Sequence, residues 1–110
     1  MDYSQLSDFD IQQEVLKATW GSHPPRLLGR MMLDVMLCDF DPCNNPADAW
    51  PIIVRNQISL MYEEAIGKWC AGKPYWVDGC EWQLDIDVME ANPLRAAMIF
   101  FLIMQDANHV

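Results

Sequence analysis

A chain of 110 residues and 12.7 kDa holds one domain, residues 1–110, with a single hydrophobic core. Hydrophobic residues make up 52% and charged residues 21%, which excludes disorder as the main state. Sixteen acids against seven bases leave a net charge of −9, which argues against a nucleic-acid partner held by phosphate neutralisation and against an anionic membrane.

The opening MDYSQLSDFD has no basic region followed by an apolar one, so no signal peptide is expected. Ser7 starts the first element. Ser-Asp-Phe-Asp resembles a capping box with Asp10 in the third helical place, and Leu6 and Ile11 stand where a hydrophobic staple needs them. Ile11, Val15 and Ala18 recur at helical spacing, so a helix is predicted over residues 8–20. His23-Pro24-Pro25 forbids its continuation, and residues 21–30 read as a loop. Residues 31–38 are apolar apart from Asp34, and periodicity does not decide between strand and helix there.

Asn45-Pro46-Ala47-Asp48 is a helix start: Asn45 caps, Pro46 fits the first position, and Asp48 meets the free amides. Pro51 leaves two options for this helix over residues 46–55. Either it kinks at Pro51, or Asp48 is the true cap and Pro51 lies in the first turn. Trp50 is expected in the core between this helix and the sheet, and Asn56 is expected as a left-handed terminator.

Residues 58–62 and 67–71 read as strands, with turns at Gly72-Lys73-Pro74 and Asp78-Gly79. Trp82, Leu84, Ile86 and Val88 alternate with Gln83, Asp85 and Asp87, the period-2 pattern of a strand with one wet face. An antiparallel meander of about three strands over residues 58–88 follows. Asn92-Pro93 repeats the Asn-Pro start, opening a last helix over residues 93–106. That helix is apolar on nearly every side, so it should be buried. The fold class is therefore α/β in the α+β sense: about three helices packed with a short antiparallel sheet in a helix–sheet–helix sandwich.

The candidate chemistry is sparse. Cys38, Cys43, Cys70 and Cys80 lack the short spacing of a zinc knuckle, and free thiols in a reducing compartment are expected, with no metal and no cofactor. No nucleophile elbow, P-loop, dinucleotide fingerprint or metalloprotease motif occurs, so no catalytic residue is assigned and no enzyme is expected. Asp85 and Asp87 read as a solvated strand face. Arg95 in a first helical turn opposes the helix dipole, so it needs an offset. A structural partner in Asp48 or Asp106 is the simpler reading; an anionic ligand or a partner protein is the other. Asn45, Asp48, Trp50, Asn92 and Arg95 are the candidate binding residues, because two helix N-termini with a nearby cation and tryptophan suit a phosphate and a stacked base. The last helix needs cover. Its Arg95–Met98–Ile99–Leu102–Asp106 face should meet either the first helix or another chain. In the second case a homodimer forms through Met98, Ile99 and Leu102, with Arg95 near Asp106 of the other copy.

Three segments, MDYSQLSDFDI, CNNPADAWPIIVRNQISL and NPLRAAMIFFLIMQ, together resemble the NinX family of small proteins encoded in the nin region of lambdoid phages and their prophages. The resemblance implies a phage or prophage protein of the bacterial host cytoplasm, and its layout is similar to small phage helix–sheet–helix domains. It brings no catalytic residues with it. The function expected is that of a non-catalytic accessory protein that binds a host or phage protein. The alternative is a binder of a small nucleotide-like ligand.

Overall fold

The computed structural model describes residues 2–20, 40–79 and 81–108. The readings of residues 21–30 and 31–38, and of Cys38 and Cys80, lie outside these. After a short 3-10 turn at Tyr3–Gln5, the elements in chain order are α1 (Asp8–Trp20), α2 (Pro46–Asn56), β1 (Ser59–Glu63), β2 (Lys68–Val77), β3 (Glu81–Glu90) and α3 (Pro93–Asn108). This is the α+β fold expected, with an antiparallel β1-β2-β3 meander among the described residues.

Each helix starts where a side chain can take its free amides. The Ser7 hydroxyl accepts from Asp10 N at 3.1 Å. Asn45 Oδ1 accepts from Ala47 N at 3.0 Å, and Asn92 Oδ1 from Leu94 N at 2.9 Å. Asn45 is therefore the cap of α2, and the helix runs on through Pro51. Asp48 serves the preceding turn instead. Its carboxylate accepts from Asp41 N at 2.9 Å and holds the chain as it enters the helix. The left-handed terminator is Gln57 (φ 54°), one residue later than expected. Asn56 stays helical and donates to the Ile52 carbonyl at 2.8 Å.

The middle strand corrects a second expectation. Gly72-Lys73-Pro74 is not a turn; β2 continues through it to Val77, and the reversal comes at Asp78-Gly79. The register explains why. Ala71 pairs with Val88 but Gly72 with Ile86, so position 87 is the extra residue of a bulge. The bulge also interrupts the period-2 alternation along β3. A Cβ on Gly72 would lie 2.2 Å from the Asp85 carbonyl oxygen, so glycine marks a close backbone approach rather than a reversal. Lys73 then donates to the Asn56 carbonyl, and at 3.0 Å to that of Gln57, tying the strand to the C-terminal end of α2.

The last helix is the centre of the molecule. Residues from Ala96 to Leu102 are all buried, because α3 packs against the sheet and also against α1 and α2. Leu60, Ala71 and Val88 line the sheet's inner face, while Ile11, Val15, Ile52 and Ile53 come from the helices. The apolar strip expected to form a homodimer is closed inside one chain: Met98, Ile99 and Leu102 are buried, with α1 against α3. The first of the two expected covers is the one observed.

Candidate functional site

The described contacts divide the five candidate residues: Asn92 and Arg95 share one polar junction, whereas Asn45, Asp48 and Trp50 stand in the first turns of α2 or just before it. Arg95 is only 15% exposed at its side chain and faces inward. Its Nη1 meets Asp8 Oδ1 at 2.6 Å, its Nε lies 3.4 Å from Glu90 Oε1, and its Nη2 donates to the carbonyls of Leu6 (2.7 Å) and Ser4 (3.2 Å). The structural reading of Arg95 holds, but with partners other than those expected. Asp106 lies eleven residues further along α3, roughly 16 Å at the helical rise, and binds the Tyr3 hydroxyl at 2.5 Å instead. Asp48 is engaged with Asp41.

Asn92 belongs to the same junction. While capping α3, it donates to the Cys43 carbonyl at 2.7 Å and lies 3.4 Å from Asn44 Oδ1. Asn44 in turn reaches Asp8 Oδ2 at 3.3 Å. Thus the starts of all three helices are joined by one polar network. The side-chain oxygens of Asn45 and Asn92 occupy their own helix N-termini, so the phosphate cradle read from the sequence is filled by the protein itself.

Burial pushes the Cys43 thiol up to about 12, with the Asp8 carboxylate adding to the effect. Burial also raises Cys70. Both are free thiols, disfavoured as thiolates and therefore poor nucleophiles. Burial, then the hydrogen bond to Asp106, lifts the Tyr3 phenol to about 12. Among the described residues no group of three His, Cys, Asp or Glu is placed to hold a metal ion, and no helix is long and apolar enough to cross a membrane.

Trp50 corrects the last expectation: it is 63% exposed, not in the core. The inward stripe of α2 is Ala49, Ile52 and Ile53, which leaves Trp50 and Val54 one turn apart on the outside. On the helical wheel Trp50 stands roughly 100° from Ala49 and roughly 160° from Ile52, at the edge of the stripe rather than within it. Ala47, Trp50, Pro51 and Val54 thus form an apolar outer face at i, i+3, i+4 and i+7. Beside it opens a cleft of about 610 Å³ between α1, α2 and α3. Leu16, Phe40, Ile52 and Phe101 give it apolar walls, and Asp48, Arg55 and Gln105 also line it. No sequence spacing signals this cleft, because three helices distant in the chain make it.

A family model described as "Bacteriophage P22, NinX" matches residues 2–105 of the chain. Neither a curated protein nor a solved structure matches it.

Proposed function

Given that the chain belongs to the NinX family of phage proteins, we propose that it acts in the bacterial host cytoplasm as a non-catalytic accessory protein that binds a host or phage protein through the outer face of α2. One observation carries this reading: the exposure of Trp50, with Val54 a turn away. Tryptophan in the middle of a protein interface is the residue type that most often dominates its binding energy. In α2 the ring is not needed for the core, which Ala49, Ile52 and Ile53 supply. Trp50→Ala should leave the free energy of unfolding in urea within about 0.5 kcal/mol of wild type, as for other surface changes. It should weaken the captured partner by about 2 kcal/mol, roughly 30-fold. A stoichiometric partner held equally well by Trp50→Ala and Val54→Asp refutes the assignment of this face.

The cleft favours a second reading, that of a small-ligand binder. Its volume lies in the range of small-molecule sites and its walls are largely apolar, with Arg55 available for an anionic group. Thermal-shift screening with nucleotides tests it, since a ligand at 100 times its dissociation constant adds about 2.7 kcal/mol. Loss of that shift in Arg55→Ala, but not in Arg95→Lys, assigns the ligand to the cleft rather than to the helix junction.

A further inference from the structure

We propose that the outer half of the β2–β3 hairpin is a second docking surface, shaped to take an arginine- and lysine-rich segment of a protein partner against Tyr75, Glu81 and Asp85. It rests on the reading of the chain as a protein-binding molecule, but on none of the α2 residues. β1 pairs with β2 only as far as Gly72, so beyond that residue the described sheet narrows to a two-stranded ribbon. Its base is held firmly. The bulge and the close backbone approach at Gly72 set its direction, and Lys73 ties it to the end of α2. The register then places side chains. Lys73 opposes Asp85, Tyr75 opposes Gln83, and Val77 opposes Glu81, so all six share one face. On that face Tyr75 is 47% exposed, and its hydroxyl donates to Gln83 Oε1 at 3.2 Å while Gln83 Nε2 donates to Glu81 Oε1 at 3.0 Å. The tyrosine hydroxyl is thereby tied across the strands to Gln83, with Glu81 and Asp85 at register positions on the same face.

Charge decides the occupant. Lys73 is the one cation among these six residues, and its ammonium is turned to the Asn56 and Gln57 carbonyls. Neither Glu81 nor Asp85 is ion-paired among the described residues. An exposed aromatic ring sharing its face with two carboxylates that have no cation partner among the described residues is complementary to a guanidinium or ammonium, which gains a cation–π contact and a charge partner together. A strand added to the β2 edge is disfavoured by Pro74, which has no N–H to offer. Contact on the β2 side is therefore made by the partner's side chains.

The test is fluorescence anisotropy with the full chain and labelled twelve-residue peptides of alternating Arg-Gly, Lys-Gly or Glu-Gly. The Arg-Gly peptide should bind, the Glu-Gly peptide should not, and binding should weaken with salt. Tyr75→Ala and the pair Glu81→Gln/Asp85→Asn should each lose about tenfold in affinity, equivalent to ~1.4 kcal/mol. Tyr75→Phe keeps the ring and should stay within about twofold of wild type, which separates a lost contact from a lost fold. The pair Glu64→Gln/Asp10→Asn, with the same change in net charge elsewhere, should also stay within about twofold. Trp50→Ala should have no effect here, so failure of the α2 reading and failure of this one are distinguishable. No binding by the Arg-Gly peptide overturns the proposal. So does equal loss in the two charge pairs, or an unchanged Tyr75→Ala.

Discussion

Replacing Arg95 tests the junction on which the fold rests. Its guanidinium joins the N-terminal turn, the first turn of α1, the end of β3 and the first turn of α3. A hydrogen bond to a charged group contributes about 1.5–3 kcal/mol net when buried. The Asp8 pair must be discounted, because the Asp8 side chain is 43% exposed and water replaces part of what it loses. The Glu90 pair and the Leu6 carbonyl are better shielded. Arg95→Ala should therefore cost about 3 kcal/mol, a large part of the ~5–15 kcal/mol that hold a domain folded. Arg95→Lys should cost about half as much, since one ammonium cannot span partners that a planar fork reaches together. Urea unfolding followed by tryptophan fluorescence measures both, with an unchanged slope showing that the same surface is exposed. Hydrogen exchange should quicken most at Leu6 N, which is bonded to the Tyr3 carbonyl in the turn that Arg95 fastens. An Arg95→Ala unfolding free energy within about 0.5 kcal/mol of wild type would refute the reasoning. So would an Asp8→Ala cost equal to that of Arg95→Ala, because one half-exposed pair would then account for the whole network.

Two further perturbations address the strand bulge and the buried thiol. Gly72→Ala should destabilise by roughly 1–3 kcal/mol, opposite in sign to the usual gain from removing a glycine, because the new methyl meets the Asp85 backbone at 2.2 Å; a variant as stable as wild type in urea contradicts the close approach. Folded Cys43 keeps its proton to about 12, whereas an unfolded thiol releases it near pH ~8.5. Above that pH the unfolded chain binds fewer protons, so Cys43 favours the native state fully below pH ~8.5, and that contribution is lost as pH rises towards 12. Tyr3 adds the same trend from about pH 10. The stability gap between wild type and Cys43→Ala should therefore narrow from about pH 8 to about pH 11, and a gap that stays constant counts against the buried, protonated thiol.

Local chemistry is legible in the sequence; contacts across the chain are not. Ser7, Asn45 and Asn92 announce their helices because a cap bonds to an amide two or three residues away. The alternation from Trp82 to Val88 announces β3 for a similar reason, since its period belongs to the strand alone. Gly72-Lys73-Pro74 misleads because its turn composition is local, while the bulge and the Lys73 bond to α2 are not. Arg95 declares its need for an offset, but its aspartate lies 87 residues away in sequence and no spacing rule reaches that far. The all-apolar α3 implies cover on more than one side, and only packing shows that the sheet, α1 and α2 supply it together.

The three segments that carry the family resemblance meet in space. Ser4, Leu6 and Asp8 come from the first, Cys43 and Asn44 from the second, and Asn92 and Arg95 from the third; all seven belong to the one network at the helix starts. A motif of this kind specifies how the chain folds. Its polar groups are already bonded to one another, so a ligand would have to compete with those bonds before gaining anything. The nucleotide reading of Arg95 and the two Asn-Pro starts draws on these same groups, and each of them has an internal partner. Residues able to recognise something else are those the network leaves out. On α2 these are Trp50 and Val54, facing away from the core stripe; on the ribbon they are Tyr75, Glu81 and Asp85. Substituting them should leave the fold standing, whereas substituting Arg95 should not, and that contrast separates the recognition surfaces from the scaffold.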